Sequence, residues 1–277
     1  MSIVRQIEKE LSGFYPLGEL KALVRLLLQH VAGWSLVDML THNDLILTAA
    51  QQTQIADAVE RLKCYEPIQY ILGATEFDGL RFRVDARALI PRPETAELVS
   101  LVAESVAPDA AVLDIGTGSG CIAVSLAKRL PQAKISAYDV SPEALTLAAE
   151  NARNQNVTID FRQMDILHEV PADAPVFDAI VSNPPYVTDS ERASMDANVR
   201  DYEPALALFV PDDDPLLFYR AIADFAVLHL AVGGQLFFEI NHRFGAATAA
   251  LLQSKGFDKV SVLRDTFGKE RFVVARK

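Results

Sequence analysis

The stretch Ala111-Val112-Leu113-Asp114-Ile115-Gly116-Thr117-Gly118-Ser119-Gly120-Cys121 decides how the rest of the chain is read. Its first half is a short apolar run and its second a turn with glycine at alternate positions; a helical pattern follows over residues 121–130. This is a strand entering a helix through a loop that lacks side chains where a ligand must approach the backbone. A dinucleotide-binding loop needs glycine at the first, third and sixth positions. Counted from Gly116, the sixth position is Cys121 and the third glycine has moved in to Gly120, so the loop points away from a pyrophosphate ligand. Asp139 closes the next apolar run, 23 residues after Gly116. A carboxylate there can accept hydrogen bonds from both hydroxyls of a ribose.

Outward from that loop the pattern repeats. Strands are expected at 111–114, 135–139, 157–162, 177–182, 235–240, 260–264 and 271–275, with helices at 121–130, 142–154, 215–231 and 245–255. Strands alternating with helices make right-handed crossovers and a mostly parallel sheet covered on both faces. The last two of the seven strands lack an intervening helix, which calls for an antiparallel edge strand. Upstream the grammar differs. Leu20, Leu23, Val24, Leu27 and Val31, then Ile55, Val59 and Leu62, recur at helical spacing before Pro67. After the Asp78-Gly79 turn signal, Leu80, Phe82 and Val84 alternate with Arg81 and Arg83, as in a hairpin. The chain therefore divides into a helical domain (1–75), a linking hairpin (76–88) and an α/β domain (89–277).

Composition narrows the function. Of 277 residues, 50% are hydrophobic and 23% charged, enough apolar material for a large core. A net charge of −11 and a pI near 4.9 offer no general attraction for a phosphate backbone, which argues against direct nucleic-acid binding. The first residues mix acids and bases without a signal-peptide core, and the longest charge-free apolar run, 225–238, has 14 residues, short of the ~18 that suggest a membrane span. Cys64 and Cys121 are the only cysteines, too few for a disulfide framework or a zinc site, and His30, His42, His168, His229 and His242 show no metal spacing. These features suit a cytoplasmic protein with no metal and no membrane partner.

The chemistry is carried by Asn183-Pro184-Pro185-Tyr186, which follows the fourth strand at the sheet edge where ligands of open α/β folds bind. Asn183 and Pro184 each precede a proline and are held extended, and neither proline has an N–H. The loop is rigid and rich in acceptors. A planar NH₂ group can donate one hydrogen to the Asn183 side-chain oxygen and the other to the Pro184 carbonyl, with Tyr186 against its flat face. An amide nitrogen is a poor nucleophile because its lone pair is shared with the carbonyl. Orientation is then what a protein can best supply to such a nitrogen.

Together these motifs resemble the PrmC/HemK family, the protein-(glutamine-N(5)) methyltransferases of class I peptide chain release factors. The likeness extends through Pro67 to Gly73, Pro91-Arg92-Pro93-Glu94-Thr95, the glycine loop, Asn183 to Tyr186, Glu203-Pro204-Ala205-Leu206 and Gly268-Lys269-Glu270-Arg271-Phe272. Ala96 stands where the family usually has another acid, and the stretch 209–215 lacks the family's glycines. The resemblance implies a class I, Rossmann-like S-adenosylmethionine-dependent methyltransferase domain. It implies that Gly116, Thr117, Gly118, Ser119, Gly120, Asp139, Asp165, Ile166 and Asn183 hold the cofactor, with Asp165 and Ile166 at the adenine. Asn183, Pro184, Pro185 and Tyr186 would bind the substrate, and Asn183, Pro184 and Tyr186 would act in catalysis. The implied partner is a release factor, methylated on the glutamine of its Gly-Gly-Gln motif, with the helical domain recognising it. An amino methyltransferase acting on an rRNA or DNA base is the alternative, and a fold that has lost its catalysis a third. The chain's own Gly233-Gly234-Gln235 reads as a turn entering a strand, not as a substrate.

Overall fold

The computed structural model describes residues 2–41, 46–169 and 174–277. By internal contacts they form two units, 1–74 with 196–202, and 75–195 with 203–277. In the first unit lie α1 (Ile3–Glu10), α2 (Leu17–Ala32), α3 (Leu36–Thr41), α4 (Ala49–Lys63) and α5 (Ile68–Leu72). Leu20, Leu23, Val24, Leu27, Ile55, Val59 and Leu62, residues at helical spacing, are buried in one apolar cluster with Ile7, Leu11 and Ile68, and Val31, the other residue of that spacing, packs against it half-buried. Thr48 caps α4 in a reciprocal box with Gln51, and Gly33 ends α2 in the left-handed conformation.

The chain passes into the second unit within β1 (Ala74–Phe77), which pairs with β2 (Leu80–Arg83); Asp78 and Gly79 join them at φ of 52° and 72°, the two positive dihedrals of a tight hairpin turn. Helix α6 (Thr95–Ser105), which the strand-and-helix pattern leaves out, precedes β3 (Ala111–Ile115) and α7 (Cys121–Arg129). Then come β4 (Lys134–Asp139), α8 (Pro142–Asn154), β5 (Asp160–Gln163) and β6 (Phe177–Ser182). The short strands β7 (Val187–Thr188) and β8 (Phe209–Val210) pair with each other, with α9 (Ala197–Arg200) between them in sequence. Helix α10 (Leu217–His229), β9 (Leu230–Glu239), α11 (Gly245–Ser254), β10 (Asp258–Arg264) and β11 (Glu270–Arg276) complete the chain.

Seven strands form one sheet in the order β10-β11-β9-β6-β3-β4-β5. The antiparallel strand is β11, and it lies one place in from the edge, inserted between β9 and β10; the edge itself is β10. Alternate residues feed two cores. Leu113, Ile115, Ile180, Leu236 and Phe238 pack with Tyr219, Ile222 and Phe225 of α10 on one face. Val112, Ala137, Val181 and Phe237 pack with Leu98 and Val99 of α6 and Ile122 and Val124 of α7 on the other.

Two boundaries differ from the sequence pattern, one for a local reason and one through pairing with a distant segment. Strand β5 begins at Asp160 because the Val157 N–H closes the end of α8 on the Ala152 carbonyl, after Asn156 turns left-handed at φ 54°. Strand β9 begins at Leu230 because Gly233 N–H reaches the Lys277 carbonyl and Lys277 N–H returns to Gly234. Gly233-Gly234-Gln235 is thus strand, with Gln235 paired to Ala179 on one side and Arg276 on the other. Among the described residues, no helix is long and apolar enough to cross a membrane.

Candidate active site

Register brings the chemistry to one row. Ile115 is level with Tyr138 of β4 and with Ser182 of β6, and Ser182 is level with Phe238 of β9. The next residue on each strand is therefore Gly116, Asp139, Asn183 and Glu239, side by side at the carboxyl edge. The chain runs from β3 outward to β4 and β5 and then returns to β6 on the other side of β3. That reversal leaves a crevice where loops diverge, the usual ligand site of such sheets.

The glycine loop is built to stay open. Gly116, Gly118 and Gly120 have φ of 72°, 55° and 80°, a region that costs other residues strain. A Cβ on Gly120 would stand 3.0 Å from Ala148 Cβ and 3.1 Å from its Cα, so this glycine lets α7 approach α8. At Gly116 a Cβ meets nothing within 4 Å. Buried Asn151 of α8 ties the loop to the hairpin by donating to the Ser119 and Arg83 carbonyls and accepting from Arg83 N–H. The Thr117 hydroxyl donates to Asp114 at 2.7 Å. Burial pushes the Asp114 carboxyl up to about 7, against the pull of that hydrogen bond.

Asp139 accepts from Gly118 N–H at 2.8 Å and from Ser141 N–H at 2.9 Å, one on each oxygen. It is not the cap of α8: Ser141 has that role, accepting from Ala144 N–H with Pro142 in the first turn. Asp165 accepts from Leu167 N–H and pairs with His168 Nδ1 at 2.8 Å, a hydrogen bond that lowers its pKa. Ile166 and Met164 beside it are buried.

Asn183 Nδ2 donates to Thr95 Oγ1 at 3.3 Å, and Thr95 donates to Glu239 Oε2 at 2.7 Å. Asn183 Oδ1 is buried with no hydrogen-bond partner. Tyr186 donates its phenol to Glu239 Oε1 at 3.3 Å, and its ring packs against the α10 face of the core. Burial holds the Glu239 carboxyl up at about 7; the Thr95 hydrogen bond, Arg271 and the Tyr186 hydrogen bond pull it down, and Glu94 pushes it up.

Most of these groups border a cleft of about 1130 Å³ of empty space, open solvent at its mouth included. Gly116, Thr117, Gly118, Ser119, Asp139, Asp165, Ile166, Asn183, Pro184 and Pro185 all border it. Gly120 and Tyr186 do not border it. One wall is held by Glu203, whose buried carboxylate accepts from Ile90 N–H at 3.1 Å and from Arg92 Nη2 at 2.7 Å; Pro204 and Leu206 follow on the cleft side. Thr95, Glu239 and Asn151 were not singled out as site residues from sequence. Thr95 entered only as the last residue of the Pro91-to-Thr95 motif, and Glu239 follows the apolar run Leu236-Phe237-Phe238. Among the described residues, no three His, Cys, Asp or Glu side chains are grouped to hold a metal ion; His42 lies outside those residues.

The cleft suits an adenosyl ligand. It has open space over Gly116, the carboxylate of Asp139 on its border, and the apolar Met164 and Ile166 next to Asp165. A seven-stranded sheet of this order carrying such a loop is the fold of class I S-adenosylmethionine-dependent methyltransferases, and the chain is an enzyme of that class. Residues 94–200 match the methyltransferase small domain, and residues 2–73 match the PrmC N-terminal domain. The release factor glutamine methyltransferase of Bacteroides thetaiotaomicron is 45% identical over 275 residues, 99% of each chain. That of Flavobacterium psychrophilum is 42% identical over 97% of this chain and 95% of its own. The chain belongs to the release factor glutamine methyltransferase family. Solved structures share the fold at lower identity. A methyltransferase from Pyrococcus furiosus is 17% identical with a TM-score of 0.54, covering 83% of this chain and 99% of its own. The 16S rRNA N2 G1207 methyltransferase of Thermus thermophilus, in complex with AdoMet and guanosine, is 17% identical with a TM-score of 0.50, covering 74% of this chain and 49% of its own.

Proposed function

We propose that this enzyme methylates the side-chain amide nitrogen of the glutamine in the Gly-Gly-Gln motif of class I peptide chain release factors, in the cytoplasm and without direct contact with nucleic acid. The observation that carries the reading is Asn183 Oδ1, a buried acceptor with no partner at the carboxyl end of β6. A buried acceptor left open costs about 1–3 kcal/mol, and a donor hydrogen from a planar NH₂ group removes that cost. The Pro184 carbonyl is the second acceptor of the rigid loop and takes the other hydrogen.

In this reading Gly116 to Ser119, Asp139, Asp165 and Ile166 hold the cofactor, with Gly120 shaping the loop from behind. S-adenosylmethionine, when bound, supplies a methyl group on a positively charged sulfur. Asn183 and Pro184 fix the plane of the substrate nitrogen, so that its lone pair points one way only. Tyr186 acts from behind them, through its hydrogen bond to Glu239. Orientation, rather than a strong base, is what these residues contribute. The helical domain, residues 1–75, recognises the release factor; the hairpin 76–88 links it to the methyltransferase domain, 89–277. The acidic net charge supports a protein substrate over a nucleic-acid base.

The test is mass spectrometry of purified release factor after incubation with the enzyme and methyl-labelled cofactor. One label on the Gly-Gly-Gln glutamine is the expected result. Label on RNA or DNA instead would overturn the assignment.

A further inference from the structure

We propose that Thr95 and Glu239 set which way the Asn183 carboxamide faces, making Asn183 an obligate acceptor toward the cleft and Thr95 a positioning residue for methyl transfer. The inference rests on the reading that Asn183 Oδ1 receives the substrate NH₂.

An asparagine side chain can present either its oxygen or its NH₂ to a ligand, and the two orientations fill nearly the same volume. Something else has to choose. Thr95 sits at the start of α6 with only 1% of its surface exposed, and its hydroxyl has a single hydrogen. That hydrogen goes to Glu239 Oε2 at 2.7 Å; above a pH of about 7 the Glu239 carboxyl is ionised and has no hydrogen to give in return. Thr95 Oγ1 is left with lone pairs only. Its other neighbour, 3.3 Å away, must then be a donor, so Asn183 Nδ2 faces Thr95 and Oδ1 is left buried and unpartnered on a residue that borders the cleft. The reverse orientation would set two lone-pair-bearing oxygens against each other in a buried site, at the cost of a lost hydrogen bond and a repulsion.

Glu239 is itself held in place. Tyr186 donates to Oε1 at 3.3 Å, Thr95 occupies Oε2, and the residue lies on β9 level with Asn183 on β6. The relay therefore runs between neighbouring strands of the sheet and the first turn of α6, all rigid elements. It has a chemical consequence. A pocket that offers only acceptors selects a planar nitrogen bearing two hydrogens and rejects a carboxylate of the same shape. Glutamine is separated from glutamate by the hydrogen on Thr95.

Thr95→Val keeps the shape and removes the hydroxyl, whereas Thr95→Ser keeps the hydroxyl. Three readouts are taken: turnover on intact release factor, cofactor affinity by calorimetry without turnover, and the Asn183 side-chain NH₂ resonances in a chain labelled with ¹⁵N-asparagine. Thr95→Val is expected to lower kcat by about 30-fold or more, in the range typical of a lost preorganised hydrogen-bond partner. Its cofactor affinity should stay within about threefold, and Thr95→Ser should stay within about threefold of the parent in kcat. In the parent, one Asn183 amide hydrogen should be protected from exchange, and that protection should vanish in Thr95→Val. Inhibition by a Gly-Gly-Glu peptide should strengthen severalfold in Thr95→Val. Turnover of Thr95→Val within twofold of the parent would overturn the proposal, as would equal losses in the two variants. Unprotected Asn183 amide hydrogens in the parent would overturn it even if Thr95→Val failed to fold. Absence of turnover by the parent would strike the substrate assignment and leave the resonance test standing.

Discussion

Two backbone N–H groups already rest on Asp139, one per oxygen, so the carboxylate is aimed before a ligand arrives. If Asp139 holds the ribose as proposed, Asp139→Ala removes that acceptor and the anchor of Gly118 together. Charge-assisted hydrogen bonds contribute about 1.5–3 kcal/mol each before water compensates, so cofactor affinity should fall by roughly 10- to 100-fold. Calorimetry checks this, and unchanged affinity would remove Asp139 from the cofactor site. Asn183→Ala should behave in the opposite way, with cofactor affinity held within a few fold and turnover down by on the order of 10²-fold or more. Asn183→Asp keeps an acceptor in place and should retain partial activity. Glu239 supplies a pH signature. Its folded carboxyl is held at about 7, above its usual range, so the folded chain binds its proton more tightly than the unfolded chain. The stability this contributes is fully present below the ordinary glutamate range and is lost as pH rises through about 7. Glu239→Gln should therefore flatten the fall in Tm between pH 5 and pH 8. A fall as steep as the parent's would show that Glu239 is not the titrating group; buried Asp114, also held near 7, would then be the next to replace.

Among the elements, the loop between β3 and α7 separates stability from binding, glycine by glycine. Gly120→Ala puts a methyl group 3.1 Å from the Ala148 backbone at φ 80° and should cost about 2–4 kcal/mol from strain and overpacking, read by chemical denaturation. Gly116→Ala meets open space, so it should cost about 1–2 kcal/mol of stability while its methyl group obstructs the cleft and lowers cofactor affinity. The loop, its acid and the tetrapeptide were legible in sequence because each is local. Glycine spacing, a carboxylate closing an apolar run and prolines flanked by Asn and Tyr all state their backbone chemistry within a few residues. The strand-and-helix alternation was legible for the same reason. What could not be read was whatever depends on partners far along the chain. Glu239 and Thr95 are 144 residues apart and meet only through sheet register and the docking of α6. Asn151 reaches the hairpin 68 residues upstream. The place of β11 inside the edge, and the backward extension of β9 along Lys277, also follow from pairing between distant segments.

For the molecule as a whole, the helical unit carries exposed apolar side chains, among them Leu17 at 66% and Leu36 at 53%. If this unit recognises the release factor, Leu17→Glu should raise KM for the intact protein by roughly 5- to 30-fold, the effect of removing one good interface contact. A short Gly-Gly-Gln peptide, too small to reach the unit, should be turned over as before. Equal effects on both substrates would place recognition elsewhere. The Asp196–Tyr202 segment has a different consequence. It belongs by its contacts to the helical unit, so the backbone changes unit after Ala74, after Met195 and after Tyr202. A gene spliced from two relatives at the hairpin would inherit its first 74 codons from one parent and the codons for 196–202 from the other. Such chimaeras should fold poorly until the short stretch is exchanged as well, and two distant pieces of the gene are thereby bound to be inherited together.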